Sequence, residues 1–257
     1  MHSLAELLQE ALISGNASAL ESYLKERSNL PGPRMNLPLV YDFAELVKTL
    51  VTLPESPVAQ LELLLEGWSS ITVEANTPKT ILPCAAVASY GQMAAALPDY
   101  WQDKVTRLYK ASLSESWRVR EMVAQALQAM LEKDWGRAVL TLYEWLKGGE
   151  LLALRAVVAA VAEPRLLKEF EHAHEALQLQ REVVRLFIQV TPAQRKHPAY
   201  KTLRQALGYS ISVAIASLPL EGLQYFSELE KSDDPDIQWI VRENKKKARL
   251  HKLISQN

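Results

Sequence analysis

The sequence predicts an all-α protein built from stacked helix pairs, and three observations carry that prediction. Apolar residues recur at helical spacing along most of the chain, prolines fall at the joints between periodic segments, and one helix pattern returns 35 residues further on. Within Ser116–Leu131, SWRVREMVAQALQAML, the residues Val119, Met122, Val123, Ala126, Leu127 and Met130 follow the spacing i, i+3, i+4, i+7, i+8, i+11. That is one face of an α-helix and fits no strand. Arg118, Glu121, Gln125, Gln128 and Glu132 fall on the opposite side.

Taken in order, Leu4, Leu7, Leu8, Ala11 and Leu12 stripe a helix over 3–14, followed by helices over 17–27 and 37–53. Leu61, Leu64, Leu65 and Trp68 mark 57–70, and further helices span 83–96, 99–111, 115–132, 135–147 and 150–162. Leu177, Val184, Phe187 and Ile188 stripe 165–190, a stretch long enough that a break is expected; 198–214, 219–230 and 235–254 complete the set. Ile71–Ala75 has the composition of a short strand but nothing nearby to pair with it. In Ser56-Pro57, Thr191-Pro192 and Asp234-Pro235 a good N-cap residue precedes proline, which is tolerated at the first helical position because its missing N–H has no partner there. Pro98, Pro164 and Pro219 also sit between periodic segments, as the cost of about 3 kcal/mol for a proline inside a helix requires.

Val119-Arg120, Val123-Ala124 and Leu127 can be laid over Leu154-Arg155, Val158-Ala159 and Ala162, and Val241-Arg242-Glu243 fits the same pattern. A helix pair recurring at this spacing is the mark of a solenoid, and the chain holds about six or seven such pairs. The aliphatic-Arg start followed by small and aliphatic residues resembles the second helix of a HEAT repeat. Ser116-Trp117-Arg118-Val119-Arg120 is further similar to the Trp-aliphatic-Arg helix start of the bacterial HEAT-like alkylpurine DNA glycosylases. The resemblance implies a right-handed α-α superhelix, a single domain over 1–257 with atypical N-terminal helices in 1–53 and a basic C-terminal helix in 235–257. It also implies that Arg120 and Arg155 either tie neighbouring repeats together or line a concave groove, with Trp117 plugging a repeat joint.

Bulk properties narrow the function. A formal charge of −1 excludes strong whole-molecule attraction to nucleic acid or anionic lipid, though a local basic patch stays possible. The single cysteine, Cys84, allows no intramolecular disulfide and no thiolate zinc site, which fits a reducing compartment. Its place after Pro83 suits either a buried small residue or a thiolate at a helix N-terminus. MHSLAELLQEAL lacks the basic-then-apolar order of a signal peptide, and the uncharged, apolar-leaning stretch Tyr209–Leu220 is shorter than the roughly 20 residues a bilayer requires. A cytoplasmic protein with no membrane partner is expected.

The glycosylases resembled here carry a segment like Trp-Asp-x-Val-Asp with a catalytic final acid. The nearest match, Trp101-Gln102-Asp103-Lys104-Val105-Thr106, puts threonine at that place; Asp103, or Asp134 beside Trp135, would have to substitute. Glu171 and His174 form a Glu-x-x-His within one segment, whereas a di-iron site needs such a motif from each of two helices and further glutamates from others. No catalytic motif, cofactor site or metal site is expected. The candidates for ligand contact are therefore Arg118, Arg120, Arg155, Trp117, Trp101 and Trp135 in the groove. Arg34 joins them in the proline-stiffened loop Leu30–Pro38, as do Arg242, Lys245, Lys246, Lys247 and Arg249 as a basic patch. The expected function is a non-enzymatic scaffold for a protein or peptide partner. The rival is a nucleic-acid-binding or repair protein related to the HEAT-like glycosylases.

Overall fold

The computed structural model describes residues 2–255, among which there are fourteen α-helices, four short 3-10 turns and no strand. The described residues are all-α, and the chain divides into two compact units, Met1–Lys133 and Asp134–Asn257.

The first unit comprises α1 (Leu4–Ser14), α2 (Ser18–Glu26), α3 (Leu37–Val51), α4 (Val58–Ser69), α5 (Ile81–Ala96), α6 (Trp101–Ser112) and α7 (Trp117–Lys133). α5 lies between α3 and α7 and is backed by α4 and α6, so alternate helices form two layers. The sequence of α5, ILPCAAVASYGQMAAA, is apolar or small on every side, and a helix of that kind can only be interior. At Gly91 a Cβ would come within 2.5 Å of the Ala126 backbone, so α5 and α7 meet with nothing but hydrogen between them. Burial pushes the Cys84 thiol up to about 12, despite the opposing charge of Arg118, so this cysteine is a packing residue rather than a thiolate.

The second unit comprises α8 (Trp135–Gly148), α9 (Leu151–Ala160), α10 (Phe170–Ile188), α11 (Pro198–Ser217), α12 (Pro219–Glu230), α13 (Pro235–Lys245) and α14 (Ala248–Ile254). Here α11 is flanked by α9 and α13 and backed by α10 and α12. Two buried amides stitch the helices, Gln180 across the two layers and Asn244 between neighbours within one. Gln180 donates to the Val158 carbonyl at 3.1 Å and accepts from Ser210 Oγ at 2.9 Å. Asn244 donates to Leu207 O at 2.8 Å and accepts from the Ser212 N–H at 2.9 Å. Buried polar groups paired in this way fix the register of helices that apolar contact alone would leave free to slide.

The predicted helices are all present, with three corrections. The last one, expected as a single helix over 235–254, breaks at Lys246-Lys247, where Lys247 is extended (ψ 124°). The turn redirects α14 so that Leu250 is fully buried, which a continuous helix would not achieve. Gln256 and Asn257 lie outside the described residues. Thr191-Pro192 opens a short 3-10 turn, Gln194–Lys196, instead of a helix, and Pro57 is itself the cap residue of α4. Asp234 does cap α13, its Oδ1 accepting from the N–H groups of Asp236 at 2.8 Å and Ile237 at 3.3 Å. Ile71–Ala75 forms no strand.

Candidate functional site

The sequence candidates that the fold brings together are Arg34, Trp117 and Arg118. The loop that follows α2 is closed at its base, where the Asn36 N–H donates to Ser28 O at 2.9 Å and the Asn36 amide donates to Arg27 O at 2.9 Å. Leu30-Pro31 is cis, and a Cβ at Gly32 would lie 2.5 Å from Asn29 O, so the tip admits only glycine there. Against this loop stands the first turn of α7. Arg118, only 5% exposed, donates through Nε to Ala75 O at 2.7 Å and through Nη2 to Gly32 O at 2.8 Å. The Gly32 N–H in turn donates to Asn76 Oδ1 at 2.9 Å, so one guanidinium locks two loops. Its flat face lies 4.4 Å from the centre of the Trp117 ring.

The result is a cleft of about 310 Å³ lined by Pro33, Arg34, Met35, Leu37, Pro38, Trp117, Arg118, Glu121 and Met122. Its wall is apolar, with Trp117 half in solvent and Arg34 and Glu121 of opposite sign on it. An amphipathic ring resting on a fixed guanidinium loses little freedom on binding, which suits it to anchor a ligand.

Two expectations change here. Arg118 falls on the polar side of the α7 wheel yet is buried, because the groups it bonds come from distant loops. Trp117, expected to plug a joint, is 50% exposed, because it is the first residue of α7 and its ring rests on Arg118. Arg120 donates to Ser114 O at 2.6 Å and Glu115 O at 2.8 Å, bracing the turn between α6 and α7. Arg155 is half-buried on α9, and neither it nor Trp135 lines this cleft. Trp101, expected in a groove, is only 3% exposed and presents no ring to a ligand.

An aromatic and carboxylate cage of the kind a cationic base needs does exist around residue 104, which sequence reasoning missed. It is filled from within. The Lys104 side chain is completely buried, bonded to Glu62 and, at 2.7 Å, to Asp103, with the Tyr90 and Tyr100 ring centres 5.4 and 5.3 Å from its ammonium. Asp103 is also engaged by Arg107 at 3.0 Å, and Thr106 Oγ1 bonds its own helix at Gln102 O. No signal in the sequence marks a lysine for burial.

Trp135 stacks on His172, with ring centres 4.0 Å apart and planes 13° from parallel. His172 Nδ1 pairs with Leu166 O and His174 Nδ1 with Glu221 at 3.1 Å, so the two imidazoles turn to different partners. Among the described residues no group of three His, Cys, Asp or Glu side chains is placed to hold a metal. In the basic patch Lys245 pairs with Glu230 at 2.5 Å and Lys246 with Glu243 at 2.6 Å. Lys247 and Arg249 lie 5.7 and 5.0 Å from the centre of the Tyr209 ring, and Arg242 is exposed. The patch thus carries less free charge than its sequence suggests. Among the described residues no helix is long and apolar enough to cross a membrane.

No protein-family model matches the chain, and no curated protein matches it. Among solved structures it is similar to a designed armadillo repeat protein, YIII(Dq)4CqI. The TM-score is 0.36 at 16% identity, over 94% of this chain and 98% of that one. It is also similar to an engineered protein, Northeast Structural Genomics Consortium target OR329, with a TM-score of 0.37 at 15% identity, over 99% of this chain and 98% of that one. At such scores the likenesses carry no argument about function, and neither extends the resemblance to glycosylases.

Proposed function

We propose that this chain is a non-enzymatic helical-repeat scaffold that takes a peptide segment of a protein partner in the cleft between the Pro31–Pro38 loop and the start of α7. The observation that supports the reading is the half-exposed Trp117 ring, held over a buried guanidinium that donates to two loop carbonyls. Aromatic anchors of this kind dominate binding energy in peptide grooves. Arg34, exposed on the same wall, would select an acidic or carboxylate-bearing residue beside the apolar anchor.

The test is a photo-crosslinking amino acid in place of Leu37, followed by direct titration with the purified crosslinked partner. Trp117→Ala should weaken that binding about tenfold or more, the range of an interface hot spot, and Arg34→Glu should weaken it with a reduced salt dependence. Full affinity in Trp117→Ala would refute the assignment.

A further inference from the structure

A second surface of the first unit shares no lining residue with the Trp117 cleft. Leu8, Leu12 and Ile13 of α1 face Leu46, Leu50 and Leu53 across a groove of about 580 Å³, closed at one end by the Glu55-Ser56-Pro57 turn. Ile13 is 79% and Leu53 53% exposed, so two large aliphatic side chains meet water side by side. Contiguous apolar surface of this kind marks a docking site more often than chance exposure.

The charged side chain among those that line it, Glu55, is acidic. Asp42 is exposed one turn before the lining Leu46 on α3, and Glu6 is exposed next to the lining Ala5 on α1. Glu6 is tied to the backbone of Ser3 in a capping box, and its bonds there hold its carboxyl below the usual range, so it is ionised. None of the three has a lysine or arginine partner among the described residues, in contrast to Glu45, which pairs with Lys48 at 2.7 Å. Residues 1–66 as a whole carry nine carboxylates against four lysines and arginines, in a chain whose net charge is only −1.

From the pairing of an aliphatic floor with unpaired carboxylates at the rim, we infer that this groove receives a basic amphipathic helix. That helix belongs to a partner protein, and its aliphatic i, i+3, i+4, i+7 stripe enters between α1 and α3 while flanking lysines or arginines meet Glu6, Asp42 and Glu55. An acidic helix with the same stripe is repelled by the rim, and so is an anionic lipid surface.

The probe is a fluorescein-labelled synthetic helix of about 18 residues, long enough to fold on binding, with a leucine stripe flanked by lysines; a twin carries glutamates instead. Anisotropy titrations against the full chain should show saturable binding of the lysine peptide and at least about tenfold weaker binding of its twin, with the difference shrinking as salt rises. Ile13→Lys or Leu53→Lys, both at exposed positions, should each reduce lysine-peptide affinity about tenfold. The double variant Asp42→Lys, Glu55→Lys, which leaves the floor intact, should reverse the preference between the two peptides. Trp117→Ala should leave the binding unchanged, so this inference and the cleft reading fail separately. Equal affinity for both peptides would overturn it, as would absence of saturable binding. Concentration-dependent dimerisation in sedimentation, abolished by Ile13→Lys, would overturn it in favour of a second copy as occupant.

Discussion

The guanidinium of Arg118 donates to the carbonyl of Gly32 at 2.8 Å, joining residues 86 positions apart. With the second bond to Ala75 O, at 2.7 Å, it makes one buried side chain the tie between two loops and the first turn of α7. Arg118→Ala removes the two bonds that a buried guanidinium makes to part-buried carbonyls and should lower the stability of the first unit by about 2–3 kcal/mol. Arg118→Lys should recover only part, since an ammonium cannot reproduce the fork. Urea denaturation midpoints of the three proteins decide it, and an unchanged midpoint in the alanine variant would refute the tie.

Arg120 provides the contrast. Its described acceptors, Ser114 O and Glu115 O, lie in the turn just before its own helix. Water can reach these carbonyls in the partly exposed turn once the side chain is gone, so loss of these two bonds in Arg120→Ala should cost about 1 kcal/mol, less than Arg118→Ala. The same denaturation series tests the order; a larger loss at Arg120 would mean that the turn, not the loop tie, holds α7 in place.

The buried ammonium of Lys104 makes two substitutions unequal. Lys104→Met fills the space with a side chain of similar length, and its former partners Glu62 and Asp103 retain 19% and 50% exposure to water, so the change should be close to neutral. Glu62→Ala keeps the cation in the interior with Asp103 as its remaining carboxylate and should lose about 2–4 kcal/mol. Thermal unfolding of both variants reads the difference. Equal losses would show that the ion pair itself is net stabilising, since Lys104→Met keeps the packing and removes only the charge.

Asp234 supplies a pH dependence. Burial raises its carboxyl, but the bonds from Arg195 and from the N–H groups of Asp236 and Ile237 outweigh that and hold it below the ordinary range. A depressed folded value contributes stability that is fully present above the unfolded value of about 3.9 and is lost as pH falls through the lower folded one. The second unit should therefore weaken below about pH 4, and Asp234→Ala, already deprived of its bonds, should show a flatter acid limb. Tryptophan fluorescence during acid titration would expose a failure, namely identical slopes.

Cys84 should be silent toward a water-soluble disulfide reagent in the native protein at pH 8 and should react stoichiometrically in denaturant, because its thiol is fully buried and its pKa is pushed up to about 12. Rapid native labelling would mean that α5 opens far more readily than its packing allows.

The helices were legible because period and proline placement are local properties: a stripe such as Val119–Met130 announces its own face. The same wheel misplaced Arg118 on the solvent side, since the groups that bury it come from loops at 32 and 75, and no local pattern encodes such a meeting. Lys104 failed for a related reason, because its burial depends on Glu62, a full helix away in the chain. Arg34, Trp117 and Arg118 could each be singled out by residue type. That they share one cleft could not be read, since it follows from the closure of the loop by Asn36 and the fork of Arg118. The unbroken final helix was the opposite error, a local continuity overruled by Leu250 seeking the core.

The position of α5 has a consequence on the time axis. Fourteen of its sixteen residues are buried between α3 and α7, and at Gly91 the backbones leave no gap for a solvent molecule. Fraying from either end of the unit does not reach its amides, so their deuterium uptake must await concerted opening of the neighbours on both sides. Residues near Gly91 should then be the slowest exchangers in Met1–Lys133. Their protection free energy should equal the global unfolding free energy of that unit, and a single peptide from α5 in a mass-spectrometric exchange experiment would serve as its stability gauge.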